Sequence, residues 1–252
     1  MQSRFDKLHS RRIGLALSGG SVRGLAHIGV IKALTEVGIK PSVVTGTSVG
    51  SIIGAALAAG LGWRDLAEMA QSIFWPSLLH GATLERFCQK YLPESFAQLE
   101  LPFAAIATVL PSKQAIAISS GKLASAISAS CSIRFLRRPV LREGQLLKDG
   151  GMACVLPAIN CRELGAEIVI SSDVWELSSV LRRIGCKPAS PRTSRFYPQH
   201  YRLAIDNTHI LIQPYIPAIG YLPGNTAIKR MIAIGEEATY QTLSRLSQLE
   251  TA

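Results

Sequence analysis

A serine with a glycine two positions to either side, as in Gly46-Thr47-Ser48-Val49-Gly50, can stand at the tip of a tight turn and act as a nucleophile. Such a turn needs small residues because its backbone is strained and crowded. It also needs a strand before it and a helix after it. Both flanks comply, with the β-branched run Ser42–Thr45 leading in and the small apolar run Ser51–Gly60 leading out. Alone, the pentapeptide reads equally well as a Gly/Ser turn packed beneath a helix. Asp149-Gly150-Gly151 places a carboxylate on a sharp turn that could reach a serine, although Asp-Gly pairs are also common at plain hairpin ends.

A third stretch, Ser18 to Gly24 (SGGSVRG), is a seat for negative charge. Gly19, Gly20 and Gly24 permit positive φ and close approach to the main chain. The helix that follows aims its unpaired N–H groups and positive dipole end at the loop. A bound dinucleotide would require glycine at position 21, where Ser21 stands, and an acid about 20 residues further on, where only the helical Glu36 is near. A phosphate-binding P-loop would end in Gly-Lys-Ser/Thr, which is missing. A transient oxyanion requires only backbone N–H groups beside a nucleophile. A purely structural turn requires nothing more.

In combination and in this order, the three stretches resemble the patatin-like phospholipases, bacterial members in particular. The likeness is carried by GLALSGGSVRGLAHIGVIKAL, GTSVGSIIGAALAAG, LLKDGGMACVLP and ELGAEIVISSDV, and runs from Ile13 to Val174. ILIQPYIPAIG and the helix after it give a fainter echo. The resemblance implies a three-layer α/β/α fold with a mainly parallel central sheet, and a serine hydrolase acting on acyl esters of lipids through a Ser–Asp dyad. By position, Ser48 matches the nucleophile and Asp149 the base. The amides of Gly19, Gly20 and Ser21 match the oxyanion hole, Arg23 and Gly24 complete that loop, Gly46 and Gly50 frame the serine elbow, and Gly150 and Gly151 form the turn after the acid. Ser21 replaces a glycine usual in the family. Ser132–Val140 (SIRFLRRPV) stands where the family has an apolar segment containing Pro or Gly. Arg134, Arg137 and Arg138 within it are candidate contacts for an anionic head group, the plainer reading being a solvated basic loop. No cofactor and no metal is expected.

Two other readings compete. A Ser-His-Asp α/β-hydrolase would use Ser48, then Asp149 or Asp173, then His200 or His209. An acyltransferase would share the elbow and pass the acyl group to an acceptor other than water. From another class, the chain could be a catalytically idle module that binds anionic membranes. His27, inside the first helix, reads as a structural histidine.

The elements that must position these residues follow from periodicity. Ile13–Leu17, Val43–Thr45, Phe103–Leu110, Gln114–Ser119, Glu167–Asp173 and His209–Gln213 read as strands, and Val140–Lys148 as a hairpin around Glu143-Gly144. Helices are predicted over Val22–Val37, Ser51–Gly60, Asp65–Ile73, Thr83–Tyr91, Lys122–Ser130, Cys154–Leu164 and Thr226–Leu249. Apolar strands flanked by helices indicate a sheet covered on both faces. Residues 1–12 form a basic lead without the apolar region of a secretory signal, and residues 13–252 read as one domain. Pro41–Trp63 carries no charge, but a β-rich first half and a short helical second half argue against a membrane span.

Composition limits the partners. Lys and Arg number 27 against 17 Asp and Glu, a net charge of +10, which favours anionic partners. No nucleic-acid-binding pattern is present, so a lipid or acyl-ester substrate and peripheral contact with an anionic membrane are favoured over nucleic acid. Leu181–Arg202, with six basic residues, three prolines and no acid, reads equally as a solvated loop or as a membrane-surface contact, and is expected to be mobile and to contribute to binding anionic bilayers. Five cysteines without a CxxC pair suit a reducing, cytoplasmic setting better than a disulfide framework. Oligomeric state is not legible.

Overall fold

The computed structural model describes residues 11–72, 80–133, 135–175, 197–216 and 223–249. Strands β1 (Ile13–Leu17), β2 (Val43–Thr47), β3 (Phe103–Leu110), β4 (Ala115–Ile118), β5 (Val140–Arg142), β6 (Gln145–Asp149), β7 (Ile168–Ser172) and β8 (Ile210–Ile212) form one sheet. Its order is β5-β6-β3-β2-β1-β7-β8, with β4 also paired to β3. β3, β2, β1, β7 and β8 are mutually parallel, while β4, β5 and β6 join by antiparallel pairing. The predicted neighbours β1 and β2 are adjacent, with Leu17 opposite Gly46.

The strand interiors are apolar on both faces because both faces are covered. Leu15, Leu17, Val44 and Ile170 point into one core, built with helices α1 (Ala26–Glu36), α2 (Val49–Ala58), α3 (Trp63–Gln71), α4 (Gly81–Tyr91), α5 (Leu123–Ser130) and α8 (Asn225–Leu249). Ala16, Val43 and Val169 point the other way, against α6 (Ala158–Glu163) and α7 (Gln199–Asp206). This alternation is the period of two that a strand imposes. The result is the expected α/β/α layering.

α1 and α8 cross with their backbones in contact. A Cβ on Gly29 would overlap the Ile232 carbonyl, and one on Gly235 would overlap that of Ala26. Only glycine permits this approach.

Some boundaries differ from the sequence expectation. The helix after the glycine loop begins as a 3-10 turn, Ser21–Leu25, and becomes α-helical only at Ala26. The helix expected from Cys154 starts at Ala158, because Pro157 at its N-cap disfavours helical geometry in the residue before it. α3 starts earlier than expected, at Trp63, where the Asp65 carboxylate accepts the Gly62 N–H. The hairpin turn falls where expected, with Glu143 at φ 49° and Gly144 at φ 76°, the conformation that two-residue hairpins require. Residues 181–196 of the basic excursion, and Arg134, lie outside the described residues.

Candidate active site

Ser48 occupies the junction between β2 and α2 at φ 53°, ψ −123°. A non-glycine residue there is strained and must be held by its surroundings. Its N–H donates to Ser130 Oγ at 2.9 Å, and its carbonyl accepts from the Ser51 N–H at 2.7 Å and from Ser51 Oγ at 2.6 Å. The flanking glycines follow from crowding: a Cβ on Gly46 would overlap the Gly50 carbonyl, and one on Gly50 would overlap that of Leu17. The sequence pattern is therefore a steric requirement of this turn.

β3 brings Ser48 to Asp149. Ala105 and Ile106 pair with β4 and with β2, while Ala107 and Thr108 pair with β4 and with β6. A strand has two edges, so β2 and β6 share one of them and meet end to end. Thr47 lies opposite Ile106 and Asp149 opposite Ala107. The two residues that leave the ends of these strands are Ser48 and Gly150. Gly150 must be glycine because a Cβ there would overlap the Ile106 carbonyl.

The Asp149 carboxyl is oriented and largely desolvated. Oδ1 accepts the Gly151 N–H at 2.8 Å. Oδ2 is buried and has no hydrogen-bond partner among the described residues, although the Ser48 hydroxyl is close enough to favour the charged carboxylate. The Asp149 N–H donates to the Ser132 carbonyl at 3.0 Å, and its own carbonyl accepts from Thr108 Oγ1 at 2.8 Å. Burial raises the carboxyl to about 6, against the opposing influence of Gly151, Ser48, Arg137 and Lys148. A carboxylate with that affinity for a proton is a far better base than one in water.

The glycine loop lies beside this pair, with one change from expectation. The Gly19 N–H donates to the Val155 carbonyl at 2.9 Å, so it is committed to closing the loop onto the chain after the Asp-Gly-Gly turn. A buried N–H requires such a partner. The N–H groups of Gly20 and Ser21 have no acceptor among the described residues. Ser21 adopts φ 53°, a left-handed conformation in which serine replaces glycine at a cost of about 1 kcal/mol. Arg23 Nε donates to the Val174 carbonyl at 3.1 Å, and Gly24 gives room to the Val49 side chain. Behind the loop, His27 is fully buried with both ring nitrogens in contact: Nδ1 is 2.7 Å from Ser172 Oγ and Nε2 is 3.0 Å from the Ser18 carbonyl. Burial lowers it to about 4, so it is neutral and structural.

A pocket of about 290 Å³ opens over these groups. Gly20, Ser21, Ser48 and Asp149 form its polar floor, and Ile133, Met152, Val155 and Trp175 supply apolar wall. No described histidine lines it. His209 accepts the Val169 N–H and contacts Arg162, and His200 lies on α7. Asp173 is buried, accepting from Tyr201 Oη, Gln213 Nε2 and the Trp175 N–H. His209 and Asp173 are thus engaged elsewhere, and His200 does not line the pocket.

The basic segment also differs from expectation. The Arg137 guanidinium donates to the Cys131 carbonyl and to Ser128 Oγ, tying the segment to α5. Neither Arg137 nor Arg138 lines the pocket. Ser130, Cys131 and Ser132 have roles that motif reading missed. Their trace in the sequence is the serine-rich polar face of Lys122–Ser130. Cys131, raised to about 12 by burial and then by the Asp149 charge, is an inert thiol beside the elbow.

A strained serine elbow facing a buried carboxylate on an α/β/α sheet defines a class, and the comparisons agree with it. Residues 15–160 match the patatin-like phospholipase family, and the chain belongs to that family. Lysophospholipase nte1 of Emericella nidulans is 34% identical over 194 residues, a match covering 68% of this chain and 12% of the relative. An NTE family protein of Mycobacterium bovis is 33% identical over 177 residues, covering 64% of this chain and 49% of the relative. The chain thus spans half or less of the length of these relatives. Among solved structures, VipD from Legionella pneumophila superimposes with a TM-score of 0.64 at 14% identity, covering 93% of this chain and 67% of that one. Human GIVD cytosolic phospholipase A2 does so with a TM-score of 0.54 at 11% identity, covering 94% and 58%. These two likenesses concern the fold.

Proposed function

We propose that this chain hydrolyses acyl esters of lipids, of the lysophospholipid or phospholipid kind, using Ser48 as nucleophile and Asp149 as base. The observation that carries this reading is the end-to-end meeting of β2 and β6 on β3, which sets the Ser48 hydroxyl against a carboxyl raised to about 6. The names of the lysophospholipase and NTE relatives support the substrate class.

Asp149 Oδ2 takes the Ser48 proton as Oγ attacks the ester carbonyl carbon. The carbonyl oxygen becomes an oxyanion, facing the N–H groups of Gly20 and Ser21. Each well-aimed donor contributes about 3 kcal/mol to that state. The α2 N-terminus adds its dipole. Collapse expels the alcohol, which takes the proton from Asp149 and leaves an acyl group on Ser48. Water, deprotonated by Asp149, then releases the fatty acid and restores Ser48. The apolar wall of Ile133, Met152, Val155 and Trp175 suits the acyl chain.

A fluorophosphonate probe should label the protein and leave Ser48→Ala unlabelled. The wild-type protein should release fatty acid from a lysophospholipid, and Ser48→Ala and Asp149→Asn should not. Labelling or release that survives Ser48→Ala in a folded protein would overturn the assignment.

A further inference from the structure

Four of the six most exposed large apolar side chains among the described residues fall between positions 135 and 146: Phe135 at 89%, Leu136 at 60%, Leu141 at 69% and Leu146 at 48%. Apolar groups scattered singly need no explanation, but a cluster does. Ile133, at the start of this segment, is part of the pocket wall. The chain then turns, with the Leu136 and Arg137 N–H groups donating to the Ile133 carbonyl at 3.2 and 3.0 Å. Phe135 sits at the turn with φ 67°, a conformation unfavourable for an aromatic residue. The base of the turn is anchored by Arg137 to α5, by Ser132 Oγ to the Arg138 carbonyl, and by Lys148 Nζ to the Arg137 carbonyl. The fold therefore holds these side chains outward. Leu141 and Leu146 face each other across the hairpin, and Leu146 lies opposite Leu110, the last residue of β3. Turn and hairpin thus belong to the end of the sheet where the pocket opens.

Charge identifies what this face meets. On this side of the sheet Lys113, Lys122 and Arg138 are exposed, while the one acid between Phe103 and Lys148, Glu143, is paired with Arg142. An apolar tip set among cations matches a lipid interface with anionic head groups. It does not match a second copy of the chain, which would bring the same positive face against itself. Among the described residues, no helix is long and apolar enough to cross a membrane, so contact would be made from one side.

We propose that Phe135–Arg137 and the β5–β6 hairpin form the face by which the protein docks on an anionic lipid surface, with Phe135 and Leu136 entering the interface beside the pocket mouth. The proposal deepens the lipid-hydrolase reading and rests on it for its purpose.

Flotation with phosphatidylcholine vesicles, alone or with about one third phosphatidylglycerol, tests it in a Ser48→Ala background that leaves lipid intact. The protein should float with the anionic vesicles, less so at high salt. Adding Phe135→Ser and Leu136→Ser should weaken flotation by roughly tenfold or more, since two large apolar groups are lost from the interface. Thermal unfolding of that variant should match its parent, because both side chains are exposed. Emission from a Phe135→Trp variant should shift to the blue on adding anionic vesicles. Equal flotation of parent and double-serine variant would overturn the proposal, as would failure of the parent to float. Conversion of a dimer to a monomer by the substitutions would also overturn it, in favour of a second copy. A protein that floats but releases no fatty acid with Ser48 intact would instead refute the hydrolase reading.

Discussion

Replacing Asp149 with Asn should abolish hydrolysis and, near neutral pH, make the folded protein more stable. Burial raises the carboxyl from 3.8 to about 6. At about 1.36 kcal/mol per pH unit, that rise corresponds to about 3 kcal/mol. The sign follows from proton uptake. Below 3.8 both folded and unfolded chains hold the proton, and burial of the acid carries no charge penalty. As pH rises, the unfolded carboxyl ionises first, and the stability associated with the protonated acid is lost until the folded carboxyl also ionises near 6. Asparagine stays neutral throughout and can still accept the Gly151 N–H through its amide oxygen. The variant should therefore melt roughly 6–12 °C higher than wild type at about pH 7.5, with the difference vanishing near pH 4. Thermal unfolding of both proteins at the two pH values measures this, and the difference between differences cancels other titrating groups such as Asp173. A variant less stable than wild type at neutral pH would refute the reasoning, as would a gain independent of pH. Hydrolysis by the wild type should rise as pH passes about 6, because the base acts only when deprotonated.

His200→Gln and His209→Gln should each keep most of the hydrolysis of a soluble short-chain ester, since neither residue lines the pocket; kcat/KM measures this, and inactivity in a folded variant would restore a triad. Ser130→Ala removes the acceptor for the Ser48 N–H and should cost about 1–2 kcal/mol of stability, read by urea denaturation, with kcat falling more than KM rises. Gly29→Ala drives a methyl group into the Ile232 carbonyl of α8 and should destabilise the protein by about 2 kcal/mol or more, seen as a lower melting temperature.

Much of the site was legible because crowded turns restrict residue type locally. Gly46, Gly50 and Gly150 are each required by a carbonyl that would collide with a Cβ, so the elbow and the acid turn leave marks in the sequence. The layered fold was legible because apolar strands alternate their faces between two cores. What escaped depends on contacts distant in sequence. Nothing near Gly19 shows that its N–H closes onto Val155, 136 positions later. Ser130 supports the elbow from 82 positions away, and the serine-rich face of its helix does not say which hydroxyl reaches Ser48. Arg137 looked free to meet a head group, and only the course of the chain back to α5 engages it with Ser128.

The sharing of one β3 edge makes the spacing between Ser48 and Asp149 a property of a single strand. An extra residue between Ile106 and Ala107 would move the two ends apart by about 3.3 Å and turn the following side chains to the opposite face. Among the described residues, the connection from Gly60 to Pro102 makes no hydrogen bond to Ser48 or Asp149, whereas the connection from Pro111 to Pro139 holds both backbones, through Ser130 and the Ser132 carbonyl. The first can change length while Ser48 and Asp149 keep their separation; the second cannot lose Ser130 or Ser132 without loosening both. β3 thus serves as a ruler, and a slip at its centre would separate the two residues whatever the surrounding connections do.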